Sequence, residues 1–317
     1  MSYTLSRLGL AIPVWLGISL LAFGLSALSP GDPATIILQR RTGDPPTSAA
    51  VAELRRELGL DRAFVVRYGH WLSRAVQGDL GRSYRTGEPV LSALAIRFPR
   101  TAVLAVAALL AGLIVAVPVG VASAGRSGSW PDHAARVATL LLASLPSYWL
   151  AYLLILLFGL GWQLLPVAGW GTPRHLVLPA LTLAVGVAAS LSRLTRATLL
   201  DELDQGYVRT ALAKGVSRVA VLWHHCLRNV AVPLVTVAAL RFGHLMAGAV
   251  IVETVFAWPG IGSFVVDAIY DRDYPVIQGF VLFTGTVFLT INLAADLSYS
   301  WLDPRIARDR EATHARL

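Results

Sequence analysis

Thr101-Ala-Val-Leu-Ala-Val-Ala-Ala-Leu-Leu-Ala-Gly-Leu-Ile-Val-Ala-Val-Pro-Val-Gly-Val-Ala-Ser-Ala124 decides the class of fold, because this long run contains no charged side chain. A helix that crosses the hydrocarbon core of a bilayer needs about 20 mostly apolar residues. The run meets that length without interruption. It therefore predicts a membrane-spanning helix and, with it, an integral membrane protein.

Five other stretches repeat this pattern: Leu8–Leu28, Val137–Leu160, Leu176–Ser192, Val230–Val252 and Val276–Tyr299. Of the 317 residues 55% are hydrophobic and only 15% are charged, and the mean hydropathy is +0.61. Ordinary soluble domains carry about 25% charged residues. The sequence thus predicts an all-α integral membrane protein with about six transmembrane helices, five or seven being the alternatives. The first stretch is too long for a signal-peptide core, so we expect it to remain as an anchor.

The net charge of +8 reflects an uneven distribution of arginine rather than a nucleic-acid-binding surface. Arginines concentrate in the loops 125–136 and 193–229 and in the tail, whereas the loops 161–175 and 253–275 hold one each, Arg174 and Arg272. Cytoplasmic segments carry such an excess of basic residues. Both termini are therefore predicted to face the cytoplasm. The first loop is also rich in arginine, but long loops cross the membrane largely regardless of charge.

These signals divide the chain into four parts. We expect an N-terminal transmembrane helix over 1–29, an extracytoplasmic helical loop over 30–98, a five-helix core over 99–301 and a cytoplasmic tail over 302–317. Within the first loop, Ser48–Leu60 reads as a helix with Ser48 as N-cap. Ala63–Val76 reads as a second helix. Its predicted inward-facing residues are Val66, Tyr68, Trp71 and Leu72.

The loop 193–229 has the pattern of a short, rigid helix between two turns. A helix leaving the membrane ends at Leu203, and Tyr207–Lys214 forms a helix stopped by Gly215 in a C-cap position. Ser217 then caps a helix over Arg218–Arg228, with Val221 and Leu222 facing inward. A short helix held between two turns can transmit a force that a flexible loop cannot.

The energy source for any transport by this chain must lie elsewhere. Carriers driven by an ion gradient usually hold ionisable groups within the membrane, and the second, third and fourth predicted spans contain none. A phosphate-binding loop needs a Gly-Lys-Ser/Thr ending, but the sole lysine, Lys214, lies between Ala213 and Gly215. We therefore expect no ATP bound by this chain. The lone cysteine, Cys226, offers no metal cage, so neither a metal site nor a catalytic site is predicted.

A set of motifs in fixed order resembles the inner-membrane permease subunits of peptide/nickel-type ABC importers over nearly the whole chain. In the first half these motifs are Ser29-Pro-Gly-Asp-Pro33, Glu53-Leu-Arg-Arg-Glu-Leu-Gly-Leu-Asp61, Gly78-Asp-Leu-Gly-Arg-Ser83, Leu145-Pro-Ser-Tyr-Trp149 and Leu178-Pro-Ala180. In the second half they are Tyr207-Val-Arg-Thr-Ala211, Ala213-Lys-Gly215, Leu227-Arg-Asn229, Phe256-Ala-Trp-Pro-Gly-Ile-Gly262, Arg272-Asp-Tyr-Pro-Val276 and Leu302-Asp-Pro-Arg-Ile306.

The resemblance implies the type I ABC importer permease fold and a multi-pass position in a bacterial inner membrane. It also implies a second permease chain, two ATP-binding subunits that carry ATP and Mg, and an extracytoplasmic substrate-binding protein. In that family the cytosolic loop bears the EAA motif, whose helix docks on the ATPase. Here Arg209-Thr210-Ala211 stands where Glu-Ala-Ala is usual. The residues that the resemblance assigns to ATPase coupling are Tyr207, Val208, Arg209, Thr210, Ala211, Ala213, Lys214 and Gly215.

Three ionisable residues of the fifth span are candidates for lining the pathway: Arg241, His244 and Glu253. Arg241 and His244 lie one helical turn apart and share a face. A cation in hydrocarbon costs at least ~2.5 kcal/mol and tends to face a wet cavity, although bonding to neighbouring carbonyls is the alternative. A peptide carboxylate or an anionic metal chelate would tolerate this arginine, whereas a bare divalent cation would be repelled.

The predicted function is therefore a permease subunit for di- or oligopeptides. The same machinery importing nickel or a nickel chelate is the first alternative, favoured by the short loop Trp162–His175. A stand-alone secondary carrier is an alternative of a different class, and a membrane scaffold or receptor is a third.

Overall fold

The structure is a computed structural model that describes residues 2–28 and 31–302, and within these ranges the side chains of 9–26, 31–40, 42–246 and 249–294. The predicted cytoplasmic tail, 302–317, lies outside the described residues except for Leu302. Within the described ranges there is no strand, and one isolated bridge pairs Arg82 with Pro89. The prediction of an all-α protein is confirmed.

In chain order the helices are α1 (Ser2–Leu28), α2 (Pro33–Thr42), α3 (Ser48–Glu57), α4 (Phe64–Val76), α5 (Val90–Gly125), α6 (Trp130–Ser144) and α7 (Ser147–Leu154). They continue with α8 (Pro173–Leu203), α9 (Gly206–Ala213), α10 (Arg218–Ala220), α11 (Leu227–Gly248), α12 (Val250–Val255), α13 (Ile261–Tyr270) and α14 (Tyr274–Leu302). Two π-helical stretches extend α7 and join α10 to α11: Ile155–Gly161 and Val221–Cys226.

Five helical stretches of the described chain are long and apolar enough to cross a membrane: Gly9–Ser26, Val90–Gly125, Pro173–Leu203, Arg218–Met246 and Tyr274–Ala294. A sixth span is obtained if the bent pair Trp130–Ser144 and Ser147–Gly161 counts as one. These numbers agree with the predicted total of about six.

The third predicted span, Val137–Leu160, is wrong as a continuous helix. The chain bends by 100° between α6 and α7, where Leu145 leaves the helical region with φ −74° and ψ 128°. Pro146 causes the break, because proline has no N–H to donate and disfavours helical geometry in the residue before it.

Each of the other predicted spans lies on a helical stretch, and several of these helices extend beyond the span. The second predicted span begins at Val90 rather than Thr101, and the fourth continues past Ser192 to Leu203. The fifth, Val230–Val252, is interrupted at Ala249 between α11 and α12. Gly248 precedes this break, and glycine weakens a helix interior.

The chain divides into two compact units, and unit 1 comprises Met1–Pro99 with Gly260–Leu317. In its described part α1 packs along α14, and the first loop forms α2, α3 and α4. The loop is helical as predicted, but α3 is capped by Thr47, whose side chain accepts from Ala50 N–H, rather than by Ser48. Val66 was predicted to face inward and is instead 45% exposed, because α4 meets α1 only along the row of Phe64, Tyr68 and Trp71.

Two pairs of the sequence motifs meet within unit 1. Arg55 donates to Asp32 at 2.8 Å and to Asp61 at 3.0 Å, which joins the start of α2 to α3. Asp273, after α13, accepts hydrogen bonds from the segment that precedes α5. These come from Ser83 Oγ at 2.5 Å, Tyr84 N–H at 3.0 Å and Arg85 N–H at 3.2 Å.

Unit 2, Arg100–Pro259, contains a very close contact between the backbones of α5 and α8. A Cβ added to Gly112 would lie 2.6 Å from Val187, and one added to Gly120 would lie 2.5 Å from Thr195. The two glycines are eight residues apart, as are their partners. Small residues at such positions let membrane helices approach closely, so the side chains of Val187 and Thr195 pack directly on the backbone of α5.

Candidate functional site

The loop between α8 and α11 in unit 2 contains the short helix α9. The structure places a helix at Gly206–Ala213, one residue earlier at each end than the predicted Tyr207–Lys214. Gly215 follows with φ +84°, a left-handed conformation that favours glycine. Ser217 accepts from the N–H of Ala220, as the predicted cap requires. The local sequence signals therefore define this helix well.

The inner face of α9 is fixed by apolar packing. Val208 is only 1% exposed and belongs to a buried cluster whose other members are Val121, Ala124, Leu199, Val221, Leu222, Cys226 and Val230. Ala211 packs against the same cluster. Val208 was predicted as a coupling residue, but its side chain faces the interior of this chain. Its contribution is to hold the helix in place.

A polar network ties the start of α9 to both neighbouring helices. Tyr207 donates its hydroxyl proton to Glu202 Oε2 at the end of α8. Asn229, in α11, donates from Nδ2 to Glu202 Oε2 at 3.1 Å and to the Tyr207 hydroxyl oxygen at 3.2 Å. Burial, and next the hydrogen bond to Glu202, raise the pKa of Tyr207 above its ordinary value. The tyrosine thus stays protonated and able to donate at physiological pH.

Sequence reasoning missed Glu202 altogether and gave Asn229 no role beyond its place in a motif. Glu202 and Asn229 are 27 residues apart, and no helical or strand periodicity relates such positions. The spacing of five between Glu202 and Tyr207 likewise crosses a turn. Only the fold brings the three together.

The outer face of α9 is open to solvent. Arg209, Thr210, Ala213, Lys214 and Gly215 are exposed, and Leu212 is 42% exposed. An apolar side chain between two cations is the composition of a docking surface, since the apolar group favours burial and the charges set orientation. The other described residues of this chain leave that face exposed.

An ion pair anchors α6 to α8 in the same unit. Asp132 has no side-chain exposure and accepts two hydrogen bonds from Arg196, whose side chain is 20% exposed. Ser123 Oγ and the backbone N–H of Gly128 also donate to this carboxylate. Sequence reasoning counted Arg196 only as a cytoplasmic cation and missed Asp132. The pair fixes the start of the bent α6–α7 element.

Arg241 and His244 lie on the exposed side of α11, as the helical spacing predicted. Arg241 Nη2 donates to Ser190 Oγ of α8 at 2.6 Å, and His244 Nδ1 lies 2.9 Å from the Leu240 carbonyl oxygen. A guanidinium on the surface of a membrane helix is costly unless it meets water or a partner. Ser190 provides such a partner for Arg241 within this chain.

Glu253 lies apart from that surface. It is fully buried, and its Oε1 accepts from Thr101 Oγ1 at 2.6 Å. The prediction that Glu253 lines a pathway conflicts with this burial, because a carboxylate enclosed by its own chain meets no passing solute. Thr101 supplies one hydrogen bond to the buried group.

No group of three or more His, Cys, Asp or Glu side chains that could hold a metal ion occurs in the described part of the chain. Cys226 is buried as a packing residue.

Family models match nearly the whole sequence. Residues 116–308 match the model described as "Binding-protein-dependent transport system inner membrane component". Residues 1–105 match the N-terminal membrane-component model of the same transport systems.

Several curated proteins are similar from end to end. The dipeptide transport system permease protein DppB of Escherichia coli (strain K12) is 38% identical over 96% of this chain and 98% of its own length. A probable peptide ABC transporter permease protein of Sinorhizobium fredii is 40% identical, with the same coverage. A putative peptide transport system permease protein of Brucella abortus is 42% identical, again with that coverage.

Among solved structures, the inward-facing MetNI methionine ABC transporter has a similar fold. One crystal form aligns with a TM-score of 0.59 at 18% identity, covering 68% of this chain and 99% of the other. This likeness confirms the expected type I permease fold.

Proposed function

The chain belongs to the family of binding-protein-dependent transport system inner membrane components, and from that membership we propose that it is a permease subunit of an ATP-driven importer. It forms half of a translocation pathway for di- or oligopeptides, and a second permease chain forms the other half. Two ATP-binding subunits drive the transport, and an extracytoplasmic substrate-binding protein delivers the peptide.

The outward face of α9 is the observation that supports the ATPase-docking role. Its inner side is held by Val208 in the buried cluster, and its start is tied down by Tyr207, Glu202 and Asn229. A helix fixed at these points moves together with α8 and α11. Force applied to its exposed residues, from Arg209 to Gly215, is then passed to the membrane helices.

The chain itself is a non-catalytic subunit in this proposal. ATP and Mg belong to the partner, since the sole lysine, Lys214, lies in no phosphate-binding loop. The chain is a multi-pass inner-membrane protein, and the arginine-rich loops 125–136 and 193–229 support a cytoplasmic position for α9 and both termini.

Peptide is the proposed substrate class for two reasons. The similar curated proteins are named as peptide or dipeptide permeases. Arg241 also presents a guanidinium at the surface of α11, oriented by Ser190, and a guanidinium pairs well with a carboxylate. Nickel or a nickel chelate stays an untested alternative.

Reconstitution tests the docking proposal with a matched pair of glycine variants. Gly215 and Gly43 each follow a short helix with φ of +84° and +77°, and an added Cβ at either would meet open space. Gly215→Val should distort the end of α9 and abolish co-purification of the ATPase. Gly43→Val, with the same local strain in the first loop, should leave co-purification intact.

Uptake into proteoliposomes tests the class of transporter and the substrate. With both permeases, the ATPase and the binding protein present, a labelled dipeptide should accumulate only when ATP is supplied. Uptake by this chain alone, abolished by an ionophore, would identify a secondary carrier instead. Accumulation of nickel chelate but not dipeptide would overturn the substrate assignment alone.

A further inference from the structure

Unit 1 contains a cavity that the proposed function does not use. Its volume is about 690 Å³, within the range of roughly 300–1,000 Å³ typical of ligand pockets. The walls come from α3, α4 and the segment 79–87, and the floor comes from α1 and the start of α14. The floor residues are Phe23, Ser26, Tyr274, Pro275 and Gln278.

The floor includes the last turn of the apolar stretch Gly9–Ser26 of α1. Phe23 is five residues before the end of α1 at Leu28, which corresponds to about 7.5 Å along a helix. The headgroup region on each side of a bilayer is roughly 5–8 Å thick. The cavity therefore joins the end of a membrane helix to the polar loop above it.

Positive charge dominates the walls. Four arginines line the cavity, Arg62, Arg67, Arg74 and Arg82, against the carboxylates of Glu57 and Asp79. Asp79 is engaged by Arg74 at 2.6 Å. Within the described part of the chain, Arg62, Arg67 and Arg82 form no ion pair, and the guanidinium of Arg67 lies 5.8 Å from the ring centre of Phe23.

Helix α4 has the two-sided character of a helix at a membrane surface. Phe64, Tyr68 and Trp71 form the row against Phe23 of α1. On one side of that row Val65 and Val76 are 75% and 69% exposed, and on the other side Arg67 and Arg74 border the cavity. Helices of this kind lie at the bilayer interface, with the apolar side towards the acyl chains.

We propose that this cavity binds the headgroup of one anionic phospholipid from the leaflet that borders the first loop. The phosphate pairs with Arg62, Arg67 and Arg82. The acyl chains leave along α1 and the apolar side of α4. The inference is independent of peptide transport and of docking at α9.

Native mass spectrometry of the full-length chain, delipidated in neutral detergent, tests the proposal. Phosphatidylglycerol, phosphatidylethanolamine and glycerol 3-phosphate are titrated separately. One phosphatidylglycerol should bind at least tenfold more tightly than phosphatidylethanolamine. Each arginine near an anionic headgroup contributes about fivefold in affinity, so the triple variant Arg62→Gln/Arg67→Gln/Arg82→Gln should lose roughly a hundredfold.

One further variant separates the site from general charge attraction. Arg56→Gln removes an exposed arginine of α3 that does not line the cavity and should bind the lipid like the unaltered chain. Equal binding of the two phospholipids, or a triple variant that behaves like Arg56→Gln, would overturn the proposal. Glycerol 3-phosphate binding as tightly as the lipid would replace it with a soluble-anion site.

Discussion

Arg196 donates two hydrogen bonds to the carboxylate of Asp132, each 2.7 Å long, one from Nε and one from Nη2. Paired bonds of this kind fix orientation as well as charge. Asp132 is the first acidic residue of α6, and Arg196 lies in α8, seven residues before its end at Leu203. The pair therefore connects the bent α6–α7 element to the helix that leads into α9.

Replacing Asp132 with asparagine should destabilise the chain by about 2–3 kcal/mol, since a partly buried guanidinium loses its counter-charge. Thermal unfolding of the purified chain, followed by tryptophan fluorescence, should show a lower Tm. Asp44→Asn, at an exposed position, is the control and should leave Tm unchanged. In Asp132→Asn/Arg196→Gln the loss should be less than the sum of the single changes; additive losses would show that the two residues do not interact.

Tyr207→Phe should weaken ATPase docking about tenfold, because a hydrogen bond to a charged carboxylate contributes about 1.5–3 kcal/mol. The variant removes the hydroxyl that joins Glu202 and Asn229 while keeping the ring. Titration of detergent-purified chain with the ATPase subunit gives the Kd. Tyr148→Phe, at a tyrosine 49% exposed, serves as the comparison. An unchanged Kd for Tyr207→Phe would mean that the network does not position α9.

Gly120→Ala should lower Tm, because its Cβ would lie 2.5 Å from Thr195 and force α5 away from α8. Overpacking of this kind costs about 1–3 kcal/mol. Gly186→Ala, also within a membrane helix, adds a Cβ with nothing within 4 Å and should be tolerated. Similar Tm values for the two variants would contradict the close approach of α5 and α8.

Asp273→Ala should loosen the segment 79–87, since it removes the acceptor for Ser83, Tyr84 and Arg85. Limited trypsin digestion should then cut after Arg82 or Arg85 at least several-fold faster than in the unaltered chain. Glu88→Gln changes an exposed carboxylate directly after that segment and controls for altered charge. Equal cleavage rates in both variants would argue against the role of Asp273.

The phenol of Tyr84 should lose its proton only at unusually high pH. Burial, and next the negative charge of Asp273, raise its pKa from 10.0 to about 12. Because the pKa of Tyr84 is raised in the folded state, the stability that this residue contributes is complete below pH 10. That stability is lost as the pH rises towards 12. The ultraviolet titration of the unaltered chain minus that of Tyr84→Phe should show a midpoint well above 10. A midpoint at 10 would show that the phenol is solvated.

Local sequence signals predicted α9 to within one residue at each end. Gly215 and Ser217 mark its surroundings through conformational and capping preferences that act over three or four residues. The same preferences mark α2, which was not predicted. This helix has Asp32 as its N-cap and Pro33 in its first turn, and Gly43 caps its end. Helix α13, over Ile261–Tyr270, escaped notice because it is too short to span a bilayer.

Contacts between distant positions could not be predicted in the same way. Arg196 lies 64 residues from Asp132, and the choice of that partner depends on how α6 packs on α8. The hydrogen bond between Thr101 and Glu253 likewise joins positions 152 residues apart. Hydropathy located the long apolar helices but not the bend at Pro146, and it does not report which face of each helix is covered.

The contact of α5 with α8 through Gly112 and Gly120 has a mechanical consequence. Side chains between two helices act as a compliant layer that absorbs small displacements by changing rotamer. At their two points of contact the intervening side chains are Val187 and Thr195, which are β-branched and have few rotamers available. A force that is applied to α9 and passed to its neighbour α8 should therefore displace α5 together with α8.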